Sequence, residues 1–500
     1  MTSTNPEIVP HLTSSAVPST VASAILSALV ICGCASGPDW EEPDVSSDLP
    51  SEFRRLPADE AFLAPAPADS AVAAESADSE PDYTGAAAIA TTDWFSQWDD
   101  PLLRSLLQRA ASSNLTVRQA VERVEAARAA LDSSRAALLP TLGASGSASR
   151  SRSFDPGKTA SSYRAGADAS WEIDLFGKNR RAAEAAQADL ESAGWKLEDA
   201  MLTLRAELVS AYVALRLSQT ALEIARENLL AEEDNAKIAR AKGDSGFSSG
   251  ADVAAAEAGV ATSRASIPPR EAAADRAARA IERLLAMPPN SLDAELAAAT
   301  GHDVPAAPPV PSAAPAELLS RRPDVRAALS ALHAATARVG EARAARFPSV
   351  DLSASFVLSA ASLSAWSEAL KTLAAGPSIS APIFRGGALA AAERRADAAA
   401  REALLAYRDT VLAAVHEAQN AWTSLSAEAA RGADLETAVS RNEEALEAAR
   451  AKYRAGTGDW TAVTVRQMAL LSSRLSLAQH RADMADCAVS LVKALGGSQM

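Results

Sequence analysis

The side chains able to do chemistry are few and scattered. Beyond the N-terminal stretch the histidines are His302, His333, His416 and His480, and no HExxH, CxxC or P-loop pattern ties any of them to a second ligand or a phosphate cradle. His416 and His480 fall in helical stretches, where a histidine packs or meets solvent. The adjacent Glu443 and Glu444 read as a solvated helical face. No catalytic residue, metal site or cofactor is expected, and the chain is read as a non-enzyme. One reactive position stands apart: Cys34, at the end of an apolar run.

That run, VASAILSALVICGC from Val21, is about 14 residues long, the length of a signal-peptide apolar core. Its Ile31-Cys32-Gly33-Cys34 ending resembles a bacterial lipoprotein lipobox. The resemblance implies a signal peptide over 1–33 and lipidation of Cys34, whose thiolate takes a diacylglycerol thioether before its freed amine is acylated. Ala35, in place of an aspartate, implies delivery to the outer membrane. No Lys or Arg precedes Arg54, so the usual basic start of a signal is missing. Cleavage would leave Cys487 as the only unmodified thiol, and rigidity must come from packing or assembly. Residues 44–92 carry ten acidic side chains against Arg54 and Arg55, with many Pro, Ala and Ser, and read as an extended tether within an anchored segment, 34–100.

The remaining 400 or so residues must position whatever function there is, and composition constrains how. About a quarter of the chain is alanine and aromatics are 4% of 500 residues, which favours long, closely packed helices in thin layers over a thick aromatic core. The net charge of −15 argues against a nucleic-acid binder, which needs clustered bases. No apolar run reaches the 18 or so residues of a spanning helix, which excludes a polytopic helical membrane protein.

The chain repeats itself. Leu139-Pro140-Thr141 matches Phe347-Pro348-Ser349 at an offset of 208, and Phe176-Gly177 matches Phe384-Arg385 at the same offset. The halves, 101–287 and 317–497, flank a Pro/Ala-rich connector at 288–316. Each reads as helix, Pro-terminated β-hairpin (141–176 and 349–384), very long helix, Gly-bearing turn (243–252 and 456–460) and further helix. The long helices, 178–242 and 387–455, would reach about 100 Å. Val117, Ala120, Val124, Ala127, Leu131, Ser134 and Leu138 form a seam of 3.5 period. Leu435, Ala438, Asn442, Ala445 and Ala449 form another, widened by Val439, Leu446 and Tyr453.

The strands are more telling. Tyr163, Ala165, Ala167, Ala169, Trp171, Ile173 and Leu175 alternate with Arg164, Asp168, Ser170, Glu172 and Asp174. Val350, Leu352, Ala354, Phe356 and Leu358 alternate with Asp351, Ser353, Ser355 and Ser359. Such strands suit a membrane β-barrel with a wet interior, lined here by Arg164, Asp168, Glu172, Asp174 and Asp351. Four strands cannot close a barrel, and open edges do not survive in lipid, so several copies must share one. The fold class is an α+β membrane protein with a duplicated half.

On these residues the chain resembles the TolC-like outer-membrane efflux proteins, in the lipoprotein branch serving resistance-nodulation-division pumps. The motifs are Gly37-Pro38-Asp39-Trp40-Glu41-Glu42-Pro43, Trp94 with Asp100-Pro101-Leu102, WEIDLFGK from Trp171, SIPPREAA from Ser266, RRPDVRAA from Arg321 and LVKALGG from Leu491, spanning Trp40 to Gly497. The resemblance implies a homotrimer in outer-membrane lipid with a twelve-stranded barrel and a coiled-coil tunnel of twelve helices (an α-barrel). It also implies a passive channel, and a periplasmic adaptor and inner-membrane pump as partners. Adaptor contacts are expected at the tip turns, at Gly243, Asp252, Gly456 and Asp459. Members of the family carry an aperture aspartate just after the second turn; here Thr464-Val465-Arg466-Gln467 stands there. Either Asp459 supplies the missing charge or Arg466 gates the aperture, while a helix N-cap is the plainer role for Asp459. A type I secretion channel and a periplasmic coiled-coil protein are the competing functions.

Overall fold

The computed structural model describes residues 35–45, 94–152, 159–246, 248–298, 303–310 and 321–497. The expected signal peptide, Cys34, most of the tether and part of the connector, with His302, lie outside them. The chain divides into two compact units.

The first unit takes in residues 129–188 and 333–402 together with the described residues up to Glu41. Its centre is one antiparallel sheet in the order β1 (Thr141–Arg152), β2 (Thr159–Ile173), β3 (Ser349–Ala360) and β4 (Leu370–Ser380). The expected alternation is realised as two continuous faces, because successive side chains point to opposite sides of a pleat. Trp171 pairs with Leu352, Ala169 with Ala354 and Ala167 with Phe356. The same face continues to Leu142 in β1 and to Leu373 and Ile379 in β4. Gly143, Asp168 and Ser355 lie across the other face, as do Glu172, Asp351 and Ser378.

The helices are α1 (Pro101–Ser113), α2 (Leu115–Ala136), α3 (Lys178–Asp244), α4 (Gly250–Ala265), α5 (Ile267–Leu284), α6 (Asp293–Ala298), α7 (Pro323–Ala344), α8 (Ala388–Arg454) and α9 (Trp460–Ala494). The duplication is visible in their lengths. α2 and α7 have 22 residues each and α3 and α8 have 67 each, about 100 Å of helix. α4 and α5 together cover the stretch that α9 covers unbroken; Pro268 and Pro269 account for the break at Ser266, since neither ring can donate to the helix ladder. The offset is 208 up to the hairpins but 210 beyond them, from Lys178 to Ala388, because the second hairpin turn is longer. By this count Gly177 corresponds to Gly387, both at positive φ, and not to Arg385 as letter matching suggests.

The second unit, residues 42–128, 189–332 and 403–497 where described, holds the main core. Leu106, Leu208, Val213, Ile281, Leu491 and Val492 are fully buried. Aromatic side chains are few but not spread thinly. Trp94 meets Phe95 and Trp98 edge-on at centroid distances of 5.2 and 5.6 Å, a local cluster that overall composition hid. The first seam is buried at Val117, Ala120, Val124 and Leu131. In the second, depth is reversed from expectation: Leu446 and Tyr453 are buried, while Leu435, Ala438 and Ala445 are half-buried. Among the described residues no helix is long and apolar enough to cross a membrane.

Candidate functional site

Two regions carry the expected functional residues. The first is the sheet. Its apolar face is bare in the single chain, with Leu142, Leu373 and Ile379 exposed by 82, 76 and 70%. Its polar face carries Arg164 and Asp168 exposed on β2 and Asp351 opposite Glu172. Lys178 Nζ donates to Glu172 Oε1 at 2.8 Å, so this carboxylate beside Asp351 is charge-paired. Asp174 departs from the expected lining. It lies just past the end of β2, and its Oδ2 accepts from the Arg180 backbone N–H at 2.8 Å, capping α3. The strand alternation stops where the helix's unsatisfied N–H groups begin, and these claim the carboxylate. Where Glu172, Ser349 and Ser380 end the sheet, a cavity of about 720 Å³ is lined by charges of both signs, including Lys178, Arg338, Glu341 and Arg395.

The segment after Cys34 is docked within this unit. Ser36 N–H donates to Phe176 O at 2.9 Å, and Arg181 donates to Asp39 at 2.5 Å. Gly37 adopts φ +113, where a Cβ would lie 2.3 Å from Gly340 Cα, so only glycine fits. Gly177 is closed on Ala35 in the same way: a Cβ there would lie 2.9 Å from that of Ala35. Cys34 itself is outside the described residues, but its neighbour is fixed at the end of β2. Sequence reading found the GPDW motif without this contact, since its partners lie 142 residues and more away.

The second region is the pair of helix reversals in the second unit. Gly456 makes its turn at φ +76, with its N–H donating to Tyr453 O at 3.1 Å. In the first half, Gly246, not Gly243, takes the equivalent φ of +76. Gly243 lies inside the last turn of α3, where a Cβ would stand 2.9 Å from Val253 Cγ2; it permits close helix approach, not the reversal. Asp252 closes a capping box with Ser249: Asp252 N–H donates to Ser249 Oγ at 3.1 Å and Ser249 N–H to Asp252 Oδ2 at 3.0 Å. The Ser249 backbone N–H holds the Asp252 carboxyl below its usual range. Asp459 occupies the N-cap position of α9, yet its exposed side chain makes no capping hydrogen bond. Arg466 is exposed about two turns further on, beside exposed Val465 and Met468.

The seam pattern marks Leu446 and Tyr453 but not what they meet at the tip. Tyr453 packs on Trp460 at 5.4 Å, and Lys242 Nζ stands 3.7 Å above the Tyr453 ring and donates to its carbonyl. Alanines 236, 239 and 256 with Leu446, Val463 and Leu470 complete this cluster. Above it a polar chain crosses four helices: Arg450 donates to Gln467 Oε1 at 2.8 Å, Gln467 to Asn228 Oδ1 at 2.9 Å, and Asn228 to Ser263 Oγ at 3.0 Å. Glu443 is not merely solvated, since Arg474 donates to it at 2.7 Å and to Glu227 at 3.1 Å; Glu444 is exposed and paired within α8 to Arg441. His480 is buried, with Nδ1 3.1 Å from Glu428 Oε2. Burial pushes the Cys487 thiol up to about 11. Among the described residues no group of His, Cys, Asp and Glu is placed to hold a metal.

The chain is similar to known proteins in sequence and fold. The family profile described as "Outer membrane efflux protein" matches residues 106–287 and 314–497. Nodulation protein T of Rhizobium leguminosarum bv. viciae is 29% identical over 477 residues, covering 95% of this chain and 93% of that protein. The pyoverdine export outer membrane protein OpmQ of Pseudomonas aeruginosa is 30% identical over 447 residues, covering 87% and 93%. The solved structure of the outer-membrane channel OprN superposes with a TM-score of 0.81 at 31% identity, covering 93% of this chain and 99% of that one.

Proposed function

This chain belongs to the outer membrane efflux protein family, and on that premise we propose its working form: three copies joining their four-stranded sheets into one twelve-stranded barrel. It is a passive outer-membrane efflux channel, carrying small molecules from the periplasm to the exterior. The proposed partners are a periplasmic adaptor and an inner-membrane pump that supplies the energy.

The sheet carries this reading. One face is apolar and uncovered, the other polar, and its strands of 11 to 15 residues are long enough to span a bilayer when tilted. Both outer edges, on β1 and β4, are unpaired among the described residues, which in lipid would leave a row of unsatisfied backbone groups. A soluble coiled-coil adaptor would have no use for such a face. Purification from outer membranes, mass determination and single-channel recording test the reading. A single-copy particle without conductance would overturn it.

Lipidation of Cys34 is proposed on the docking of Ala35 against Gly177, at the end of the strand that would enter the membrane. Intact-mass measurement would detect the lipid, and an unmodified cysteine sinks this part. For the aperture, the carboxylate of Asp459 and the exposed Arg466 are the candidate charges; Gly456 and Gly246 reverse the chain, and Gly243 and Asp252 pack and cap beside them, at the turns that the adaptor grips. Planar-bilayer recording of Asp459→Ala and Arg466→Ala separates them: wild-type openings in both variants remove both residues from the gate.

A further inference from the structure

The junction between the two halves is built once inside the chain. β2 of the first half pairs with β3 of the second. Beside that pairing Phe176, in the link from β2 to α3, stacks on Phe347, the residue before Pro348, with centroids 4.8 Å apart and planes 14° from parallel. The other half offers an exposed apolar residue for each end of this contact. Phe384, the aromatic of the link from β4 to α8, is 88% exposed, and Ile383 before it is 96% exposed. Leu139, the counterpart of Phe347 and the residue before Pro140, is 64% exposed. Among the described residues the outer edges of β4 and β1 are open in the same way.

A ring of alternating halves has two kinds of junction, first-to-second within a chain and second-to-first between chains. We infer that Phe384 packs on Leu139 of the partner subunit, so that the junction between copies reuses the contact that Phe176 and Phe347 make within one copy. The inference rests on the multi-copy barrel proposed above. It adds a register: Asp168 faces Ser355 in the chain, and their counterparts at the repeat offsets are Ser378 and Ser147. Ser378 therefore faces Ser147 of the partner subunit on the polar side of the wall.

Strand pairing stops three residues earlier in the second half, so residues 381–387 of the second link are irregular where only 174–177 are in the first, although Ser380 to Ala388 is as long as Ser170 to Lys178. Gly386 and Gly387, at φ +57 and +82 with no atom within 4 Å of a Cβ built on either, give it a turn of its own and let Phe384 occupy the site although it does not fall at the 210 offset from Phe176. Lipid is the other conceivable cover for Ile383 and Phe384. It would not account for an open Leu139 that repeats Phe347, beside an open strand edge that repeats β3.

The experiment uses the full chain with Cys487→Ser. Leu139→Cys/Phe384→Cys, treated with a short bismaleimide, should give covalent dimers and trimers on a denaturing gel, and neither single variant should. Ser147→Cys/Ser378→Cys should form an interchain disulfide on mild oxidation, because facing strand residues lie within disulfide reach. Phe384→Asp should lower the assembled fraction at least tenfold, and Phe384→Leu should restore it. Absence of both cross-links in a sample whose native mass is three copies overturns the contact and leaves the barrel standing, as does labelling of Phe384→Cys by a lipid-borne photoprobe in place of cross-linking. A wild-type protein of single-copy mass overturns the barrel reading and this contact with it.

Discussion

Trp40 lies flat on His333, with ring centroids 4.6 Å apart and planes 18° from parallel. His333 Nε2 is in turn 3.2 Å from Glu184 Oε1, and Arg181 bridges Glu184 and Asp39, so an aromatic stack and an ion pair add to the Ser36 hydrogen bond in holding the strap after Cys34. Stacked aromatic pairs contribute about 0.5–1.5 kcal/mol beyond their buried area. Trp40→Ala should therefore speed deuterium exchange of residues 35–45 by about two- to tenfold and leave the sheet's protection unchanged. Gly340→Ala, whose Cβ would lie 2.9 Å from Ser36 O, should release the strap altogether. Mass-spectrometric exchange on the intact protein reads both, and an unchanged strap in Gly340→Ala would refute the docking.

At the tip, Gly246 and Gly456 both sit at φ +76 with no atom within 4 Å of where a Cβ would be. The penalty for alanine there is conformational alone, about 1–2 kcal/mol. Gly456→Ala should lower local stability by that amount in chemical denaturation or exchange, and Gly456→Asn by much less, because asparagine tolerates the left-handed region. Equal losses in the two variants would mean that side-chain contact, not backbone shape, sets the cost.

The tip also shows where the sequence was readable. Periodicities of 2 and 3.5 located the strands and the long helices to within a few residues, since burial on one face is a local property of the chain. Which glycine reverses the chain was not local. Gly243, Gly246 and Gly250 look alike in sequence, and only the packing of Val253 against α3 makes Gly243 a contact residue. Alternation alone places Asp174 in the lining, because nothing in the strand pattern marks where Arg180 N–H needs an acceptor. Gln467 and Asn228 are 239 residues apart, and nothing in either neighbourhood announces the other.

That pair makes a prediction of its own. Gln467 is 6% exposed and carries both the Arg450 and the Asn228 contacts. Gln467→Leu keeps the volume but removes one hydrogen bond each from half-buried Arg450 and Asn228, which together cost about 1–3 kcal/mol. Urea denaturation should show that loss. Asn228→Ala and Gln467→Ala should be non-additive by about 0.5 kcal/mol or more in a double-mutant cycle, and strict additivity would mean that the chain of hydrogen bonds is not energetically connected.

Asp199 supplies a pH dependence whose sign is unusual for an aspartate. Burial raises its pKa first, and the neighbouring Asp324 and Glu417 raise it further, against Lys493 and Arg322. Arg322 spends its charge elsewhere: it donates to Asp324 Oδ2 at 2.5 Å, to Glu417 Oε2 at 2.8 Å and to Ala494 O at 3.0 Å. A carboxyl whose folded pKa lies above its unfolded value favours the folded state when protonated. Its contribution is fully present below about pH 3.9, the unfolded value, and is lost as pH rises through the folded one. Asp199→Asn, which keeps the shape and cannot ionise, should then be more stable than wild type at pH 7 and indistinguishable from it at pH 3.5. Thermal unfolding across that range decides the matter. A variant that is less stable at pH 7 would show that Lys493 and Arg322 outweigh burial, and that Asp199 holds its place as an ion.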